Sequence, residues 1–99
     1  MIVISGYTRI NPDHREKAIA AAMKMSAESE AEDGCISYRF YGDFEKPDML
    51  FLFEEWESQD ALDAHFQTPH MSEFRKALSE IEILEQTLKR YVIESVGDL

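Results

Sequence analysis

Alternating hydrophobic and polar positions predict four strands along the chain. Residues 2 to 9, IVISGYTR, are rich in β-branched and aromatic side chains and stop at an Asn-Pro pair. Residues 35 to 42, CISYRFYG, and residues 49 to 56, MLFLFEEW, predict a second and a third strand. The turn GDFEKPD between them favours antiparallel pairing. A last strand is predicted from about Leu84 to Val96.

Capping residues and helical periodicity predict the connection between the first two strands. Asn11 can cap a helix, and Pro12 suits its first position because the missing N–H would be unpaired there. The helix is expected to run to about Glu32, with Gly34 ending it. Its predicted buried face comprises Ala18, Ile19, Ala22, Met23 and Ser26.

A second helical region is predicted between the third and fourth strands, with a break near Thr68. Ser58 and Asp60 mark the start of a short helix that runs through His65. Thr68 and Pro69 repeat the cap-and-proline signal. They open another helix, in which apolar residues recur every three or four positions.

The order β-α-β-β-α-β predicts an α+β chain with ferredoxin-like topology and an antiparallel four-stranded sheet. No linker or repeat interrupts residues 1 to 99, so one domain is expected. In this topology the helices cover one face of the sheet. The other face is free to contact a partner.

Period-two alternation assigns the side chains of the middle strands to opposite faces. In the third strand the two sets are Phe51, Phe53 and Glu55 on one face and Leu50, Leu52, Glu54 and Trp56 on the other. In the second strand they are Ile36, Tyr38 and Phe40 against Cys35, Ser37, Arg39 and Tyr41. Since both faces of the third strand are largely apolar, the pattern predicts a homodimer that packs sheet against sheet. A buried pair of Glu55 with Arg39 would suit that interface.

Charge and composition narrow the class of partner. Ten Lys and Arg against 20 Asp and Glu leave a formal net charge of -10, which opposes binding to nucleic acid. The acidic runs ESEAED and EFRKALSEIEILE are expected to form solvated helix faces. No apolar run reaches the roughly 20 residues of a membrane span, and the N-terminus does not read as a signal peptide. We therefore expect no membrane partner and a cytoplasmic location.

Motifs for common cofactors are missing from the sequence. Cys35 is the single cysteine, so neither an internal disulfide nor a cysteine metal cluster can form. The chain has no GxGxxG, P-loop or HExxH motif. The sequence therefore predicts no metal and no bound cofactor.

Residues 34 to 74, GCISYRFYGDFEKPDMLFLFEEWESQDALDAHFQTPHMSEF, resemble the core motif of the antibiotic biosynthesis monooxygenase family. The spacing of EEWES, ALDAH and PH is the most specific part, and the flanking elements extend the resemblance over nearly the whole chain. It implies a dimeric α/β barrel with a pocket between the helices and the sheet of each protomer. It also implies quinol monooxygenase-like oxygenation of a phenolic or hydroquinone substrate by O2, without metal or flavin.

Three residues are candidate catalytic groups. His65 is the best candidate for a general base, because the ordinary pKa of histidine lies near neutrality. Its alternative role is to stabilise the C-terminus of the short helix through the helix dipole. Glu54 shares a face with Trp56, and a carboxylate facing an apolar interior has a raised pKa or a hydrogen-bonded partner. A structural position near the sheet edge is its alternative. Arg75 could hold an anionic intermediate or lie at the surface.

Five residues are candidate substrate contacts. The resemblance implies that Trp56 lies against the ligand pocket, with a core position as the alternative. Tyr38 and Phe40 could line the same pocket or belong to the core, and Tyr38 could donate a hydrogen bond to a substrate oxygen. Met23 could supply a soft wall or fill a gap. His70 opens the last helix, where a structural or surface role is the alternative.

The resemblance leaves other functions open. Haem-degrading relatives carry an iron-ligating histidine near the position of Arg75 and an asparagine near Gly6, so a haem site would lack its ligand here. The remaining alternatives are a dimer that binds a small apolar ligand without turnover and an isomerase of a small carbonyl compound.

Overall fold

The computed structural model describes residues 1 to 99 and has one four-stranded antiparallel sheet. Its strands are β1 (Ile2–Ile10), β2 (Cys35–Gly42), β3 (Met49–Trp56) and β4 (Ile83–Val92), in the spatial order β2-β3-β1-β4. The helices are α1 (Arg15–Glu30), α2 (Gln59–His65) and α3 (Pro69–Leu78). This is the ferredoxin-like α+β topology that the order of elements predicted. None of the helices combines the length and the apolar character that crossing a membrane requires.

The helix starts follow the capping residues. The Asn11 side chain accepts the N–H of Asp13 at 2.9 Å and opens a short 3-10 turn, Pro12–His14, ahead of α1. Ser58 accepts the N–H of Ala61 at 3.1 Å. Thr68 accepts the N–H of Met71 at 3.3 Å. Each cap satisfies a backbone donor that has no partner inside its helix.

The end of α1 positions residues that matter for the site. The helix ends at Glu30, two residues earlier than predicted, and Gly34 adopts φ +82°. A Cβ at Gly34 would lie 2.6 Å from the Cβ of Ala61, so glycine is required both for its backbone conformation and for its close approach to α2. Residues between Glu30 and Gly34 consequently turn back toward α2.

The main core lies between the sheet and helices α1 and α2. Its buried members are Ile2, Met25, Tyr38, Leu52, Trp56 and Leu62. A smaller cluster of Ile10, Ala18 and Ile81 continues it. The predicted alternation of β3 is confirmed, because Leu52, Glu54 and Trp56 are buried while Phe51 and Phe53 are each 37% exposed on the other face.

The face prediction for the start of β2 is wrong. Cys35 packs against the main core, and Ile36 is 50% exposed. Cys35 pairs with Trp56 and Ser37 with Glu55, which leaves Ile36 as an extra residue on β2. A bulge of this kind reverses the alternation that strict period-two counting assumes.

Three further predictions are corrected by the structure. Met23 is 69% exposed, because it lies five residues and therefore about 140° around α1 from the buried Ala18; Met25 is the buried methionine of this helix. Arg39 pairs with Glu30 at 3.3 Å instead of with Glu55. The hydroxyl of Ser37 donates to Glu55 at 2.6 Å. Strand β4 ends at Val92, four residues earlier than predicted.

Candidate functional site

A cavity of about 600 Å³ lies between the inner face of the sheet and the helices. Sixteen of its 23 lining residues are hydrophobic, so it suits an apolar ligand of small-molecule size. The aromatic wall includes Tyr38, Phe40, Phe66 and Phe74. Among the buried side chains of this lining, Glu54 provides a carboxyl group and His65 an imidazole.

Glu54 is held inside the protein by a tryptophan. The side chain is 6% exposed, and the indole N–H of Trp56 donates to its Oε1 at 2.9 Å. Burial raises the pKa of Glu54 to about 7, the Trp56 hydrogen bond opposes that rise, and the charge of Glu32 adds to it. Glu54 can therefore exchange a proton near neutral pH.

His65, the last residue of α2, is 1% exposed and packs between aromatic rings. Its ring centroid is 4.7 Å from that of Trp56 and 5.6 Å from that of Tyr38. Its Nδ1 lies 2.6 Å from Oε2 of Glu32. With Nδ1 donating to the carboxylate, Nε2 is the ring nitrogen that remains to accept a proton from a molecule in the cavity.

Glu32 also contacts the next histidine along the chain. The same Oε2 lies 2.8 Å from Nε2 of His70, whose Nδ1 is 3.6 Å from Oε2 of Glu28. His70 does not line the main cavity; it lines a smaller hollow on the outer side of the helices, together with Lys24, Glu28 and Glu73. Glu32 thus connects an inner histidine to an outer one.

Sequence reasoning missed Glu32 because it belongs to the acidic run ESEAED. That run was predicted to be a solvated helix face. Glu32 instead follows the end of α1 and precedes Gly34, where the chain reverses toward α2. An acidic residue between a helix end and a left-handed glycine was the signal available in the sequence.

Four of the eight predicted site residues line the cavity, namely Glu54 and His65 together with the two aromatic residues below, and four do not, His70 among them. Tyr38 and Phe40 line the cavity. Trp56 is fully buried behind Glu54 and His65, Met23 lines a different surface hollow, and Arg75 lies exposed with its guanidinium donating to the carbonyl of Phe66 at 3.2 Å. The structure therefore keeps Arg75 and Met23 away from this cavity.

The cations at the cavity come from β4. Lys89 and Arg90 both line it, and Nη1 of Arg90 donates to Oε1 of Gln59 at 3.0 Å. Neither residue was a sequence-based candidate, since β4 shows no local motif. Pairing with β1 places Arg90 opposite Ile4, a residue that packs against the main core.

The Tyr38 hydroxyl and the Cys35 thiol keep their protons at neutral pH. Burial, followed by the charge of Glu54, raises the pKa of the Tyr38 hydroxyl, so the phenol stays protonated and can donate a hydrogen bond. Burial, followed by the charge of Glu32, raises the pKa of the Cys35 thiol to about 12. Cys35 is therefore a poor nucleophile at neutral pH.

Comparison with known proteins adds sequence and structural relatives. A family profile described as antibiotic biosynthesis monooxygenase matches residues 1–77. An uncharacterized protein of Synechocystis sp., sll1783, is 37% identical over 98 residues, covering 99% of this chain and 67% of the relative. The Escherichia coli K12 protein named "Probable quinol monooxygenase YgiN" is 31% identical over 90 residues, covering 83% of this chain and 86% of its own.

Solved structures share the fold. A Deinococcus radiodurans protein superposes with a TM-score of 0.90 at 18% identity, covering 100% of this chain and 98% of its own. At that identity the similarity establishes the fold alone.

Proposed function

Because this chain belongs to the antibiotic biosynthesis monooxygenase family, we propose that it oxidises a hydroquinone, phenol or polycyclic phenolic compound with O2 and without a bound cofactor. Membership in the family supports a monooxygenase-like function. The substrate class is our inference from the cavity. The observation that carries it is the buried His65, which lines an apolar cavity while Glu32 engages its Nδ1 at 2.6 Å.

His65 is proposed as the general base. Glu32 holds the imidazole in the tautomer with the proton on Nδ1, so Nε2 accepts the proton of a phenolic O–H. The resulting phenolate is electron-rich enough to transfer one electron to O2. An apolar lining excludes water from the reduced oxygen species that this transfer generates.

The substrate supplies every electron that the reaction needs. After the first transfer, the phenoxyl radical and superoxide combine at a ring carbon to form a peroxide. Loss of water from the peroxide leaves a carbonyl, so one oxygen atom stays in the product and the other leaves as water. Phenol plus O2 thereby gives quinone plus water, a four-electron oxidation that requires no added reductant.

Polar groups around the cavity are proposed to stabilise developing negative charge. The protonated Tyr38 hydroxyl can donate to a substrate oxygen. Arg90 takes the role that the sequence suggested for Arg75, because Arg90 lines the cavity and Arg75 does not. The second proton of the reaction leaves the ring carbon. Glu54 is proposed to accept it, since the pKa of Glu54 is raised to about 7.

We also propose that the protein acts as a homodimer. The outer face of the sheet carries the exposed Phe51, Phe53 and Tyr91 and the half-buried Tyr7, and the rings of Tyr7 and Phe51 lie 6.2 Å apart. Phe51 and Phe53 are each 37% exposed and Tyr91 is 45% exposed, so a second sheet would remove an apolar patch from water.

Oxygen uptake with a panel of hydroquinones and phenols tests the proposed reaction. Enzyme-dependent uptake of one O2 per substrate is expected, and labelled O2 should place one atom in the product. His65→Ala should lower kcat on the order of 10²-fold or more. His14→Ala should leave kcat unchanged, because His14 does not line the cavity.

The competing functions predict other results in the same assays. Product formed under argon would identify an isomerase. Tight ligand binding without turnover, equal in the wild type and His65→Ala, would identify a binding protein.

A further inference from the structure

One carboxylate oxygen lies between two imidazole rings beside the cavity. Oε2 of Glu32 is 2.6 Å from Nδ1 of His65 and 2.8 Å from Nε2 of His70. One donor atom from each of the three residues falls within 4.8 Å of the other two. The side chains of Glu32, His65 and His70 are 13%, 2% and 14% exposed, so the cluster is shielded, with Glu32 and His70 partly accessible to solvent.

We propose that Glu32, His65 and His70 bind a divalent transition-metal ion, with zinc the ion that their chemistry fits best. Two imidazole nitrogens and one carboxylate are common zinc ligands, with bonds of about 2.0–2.2 Å. Tetrahedral coordination at those bond lengths separates neighbouring ligand atoms by about 3.3 Å. The 2.6 Å and 2.8 Å contacts of Glu32 therefore need to widen by about 0.7 Å and about 0.5 Å, changes that side-chain rotation can supply.

A second carboxylate is placed to support the outer ligand. Nδ1 of His70 lies 3.6 Å from Oε2 of Glu28. With Nε2 on the metal, the N–H at Nδ1 would donate to Glu28, which fixes the ring orientation and increases its basicity. Glu28, His70 and Lys24 line the outer hollow, so the outer ligand borders a hollow at the protein surface.

The net charge of the chain also favours the binding of a metal cation. The chain carries a formal net charge of -10, which raises the local concentration of cations near its surface. Three protein ligands leave the fourth tetrahedral position to water. The cluster therefore resembles an exchangeable metal site more than a closed structural one.

Metal binding and proton acceptance by His65 exclude each other; this consequence rests on the proposed function. A metal ion on Nδ1 leaves the proton of neutral imidazole on Nε2. Nε2 would then donate to a phenolic substrate instead of accepting its proton. The zinc-loaded protein is consequently the inactive form of the proposed oxygenase.

Titration of zinc chloride into chelator-treated, full-length protein tests the site without requiring turnover. One equivalent per chain should bind in calorimetry, and Co2+ should produce a tetrahedral visible spectrum. Glu32→Gln and His70→Asn should each weaken zinc binding at least tenfold, and Glu28→Gln about tenfold. His14→Asn and Glu94→Gln should bind as the wild type does, because neither residue lines the outer hollow.

The outcomes separate the two proposals. No stoichiometric zinc binding by the wild type, or unchanged affinity in Glu32→Gln and His70→Asn folded by circular dichroism, would overturn the metal site. If a variant fails to fold, the Co2+ spectrum and zinc-induced NMR shifts of the wild-type histidines decide instead. Zinc binding with undiminished oxygen uptake would overturn the inhibition and leave the site standing, whereas zinc binding with no uptake under any condition would count against the oxygenase alone.

Discussion

Trp56 donates its indole N–H to the carboxylate of Glu54 over 2.9 Å, and both side chains are buried. The two residues lie on the same face of β3 because they are two positions apart. Tryptophan therefore acts on the cavity indirectly: it positions the acid and packs against His65, while Glu54 and His65 form the wall.

Removing that donor should raise the pKa of Glu54 further. Trp56→Phe keeps an aromatic ring in the core but loses the hydrogen bond that favours the ionised carboxylate. A charge-assisted hydrogen bond contributes about 1.5–3 kcal/mol, which corresponds to an increase of about one to two pKa units above the present value of about 7. Carbon-detected NMR titration of the Glu54 carboxyl measures the change. An unchanged or lowered pKa would show that the bond does not stabilise the ionised form.

The pH dependence of stability should report the buried acid. The pKa of Glu54 rises from 4.5 to about 7 on folding, so the folded state binds more protons than the unfolded state between those values. The free energy of unfolding should therefore fall as pH rises from about 4.5 to about 7, by about 3 kcal/mol from this group. Tyr38, Trp56 and Glu32 surround the carboxyl, and only Glu32 adds a nearby negative charge that further disfavours its ionisation.

Urea unfolding of Glu54→Gln from pH 5 to pH 8 measures this contribution. The variant should lose that part of the slope and exceed the wild type in stability at pH 8. Glu94→Gln, at an exposed carboxylate near the C-terminus, should keep the wild-type slope. Equal slopes in the wild type and Glu54→Gln would contradict a raised pKa.

Glu32 should affect turnover without touching the substrate. Glu32→Gln leaves the lining of the cavity intact but weakens the control of the His65 tautomer, so kcat of the proposed oxygenase should fall on the order of 10²-fold while KM changes little. Steady-state oxygen uptake separates the two constants. Glu30→Gln, on the same segment and paired with Arg39, is the matched control. A rise in KM alone would argue for a direct role in binding.

Gly34→Ala should destabilise the protein much more than Gly42→Ala. Alanine at Gly34 must adopt φ near +82° and would approach Ala61 to 2.6 Å, whereas a Cβ at Gly42 meets no atom within 4 Å. A loss of about 1–3 kcal/mol is expected at Gly34 and little change at Gly42, measured by urea unfolding. Equal losses of stability in the two variants would show that neither the backbone conformation at Gly34 nor its close approach to α2 requires glycine.

Phe53→Glu should dissociate the proposed homodimer. The substitution places a charge on the apolar outer face of the sheet, so light scattering should shift from twice the chain mass to 11.5 kDa at micromolar concentration. Phe44→Glu is the control, because Phe44 is fully exposed in the turn before β3. A wild-type protein that is already monomeric would refute the dimer.

Local chemistry in the sequence determined the elements of this protein. The caps at Asn11, Ser58 and Thr68 predicted helix starts because their side chains bond to backbone donors only two or three residues away. Alternation in β3 placed Glu54 on the core face because side-chain direction in a regular strand depends on counting alone. The family resemblance added the expectation of a pocket.

Tertiary structure alone decided which side chains form the site. Glu32 and His65 are 33 residues apart, and their 2.6 Å contact depends on how α1 ends and how α2 packs against it. Arg90 reaches the cavity through the pairing of β4 with β1, which no local pattern encodes. The bulge at Ile36 likewise depends on register between two strands. Such contacts between distant segments are set by packing and strand register. The sequence therefore identified His65 and Glu54 as site residues, but it did not identify Glu32 or Arg90.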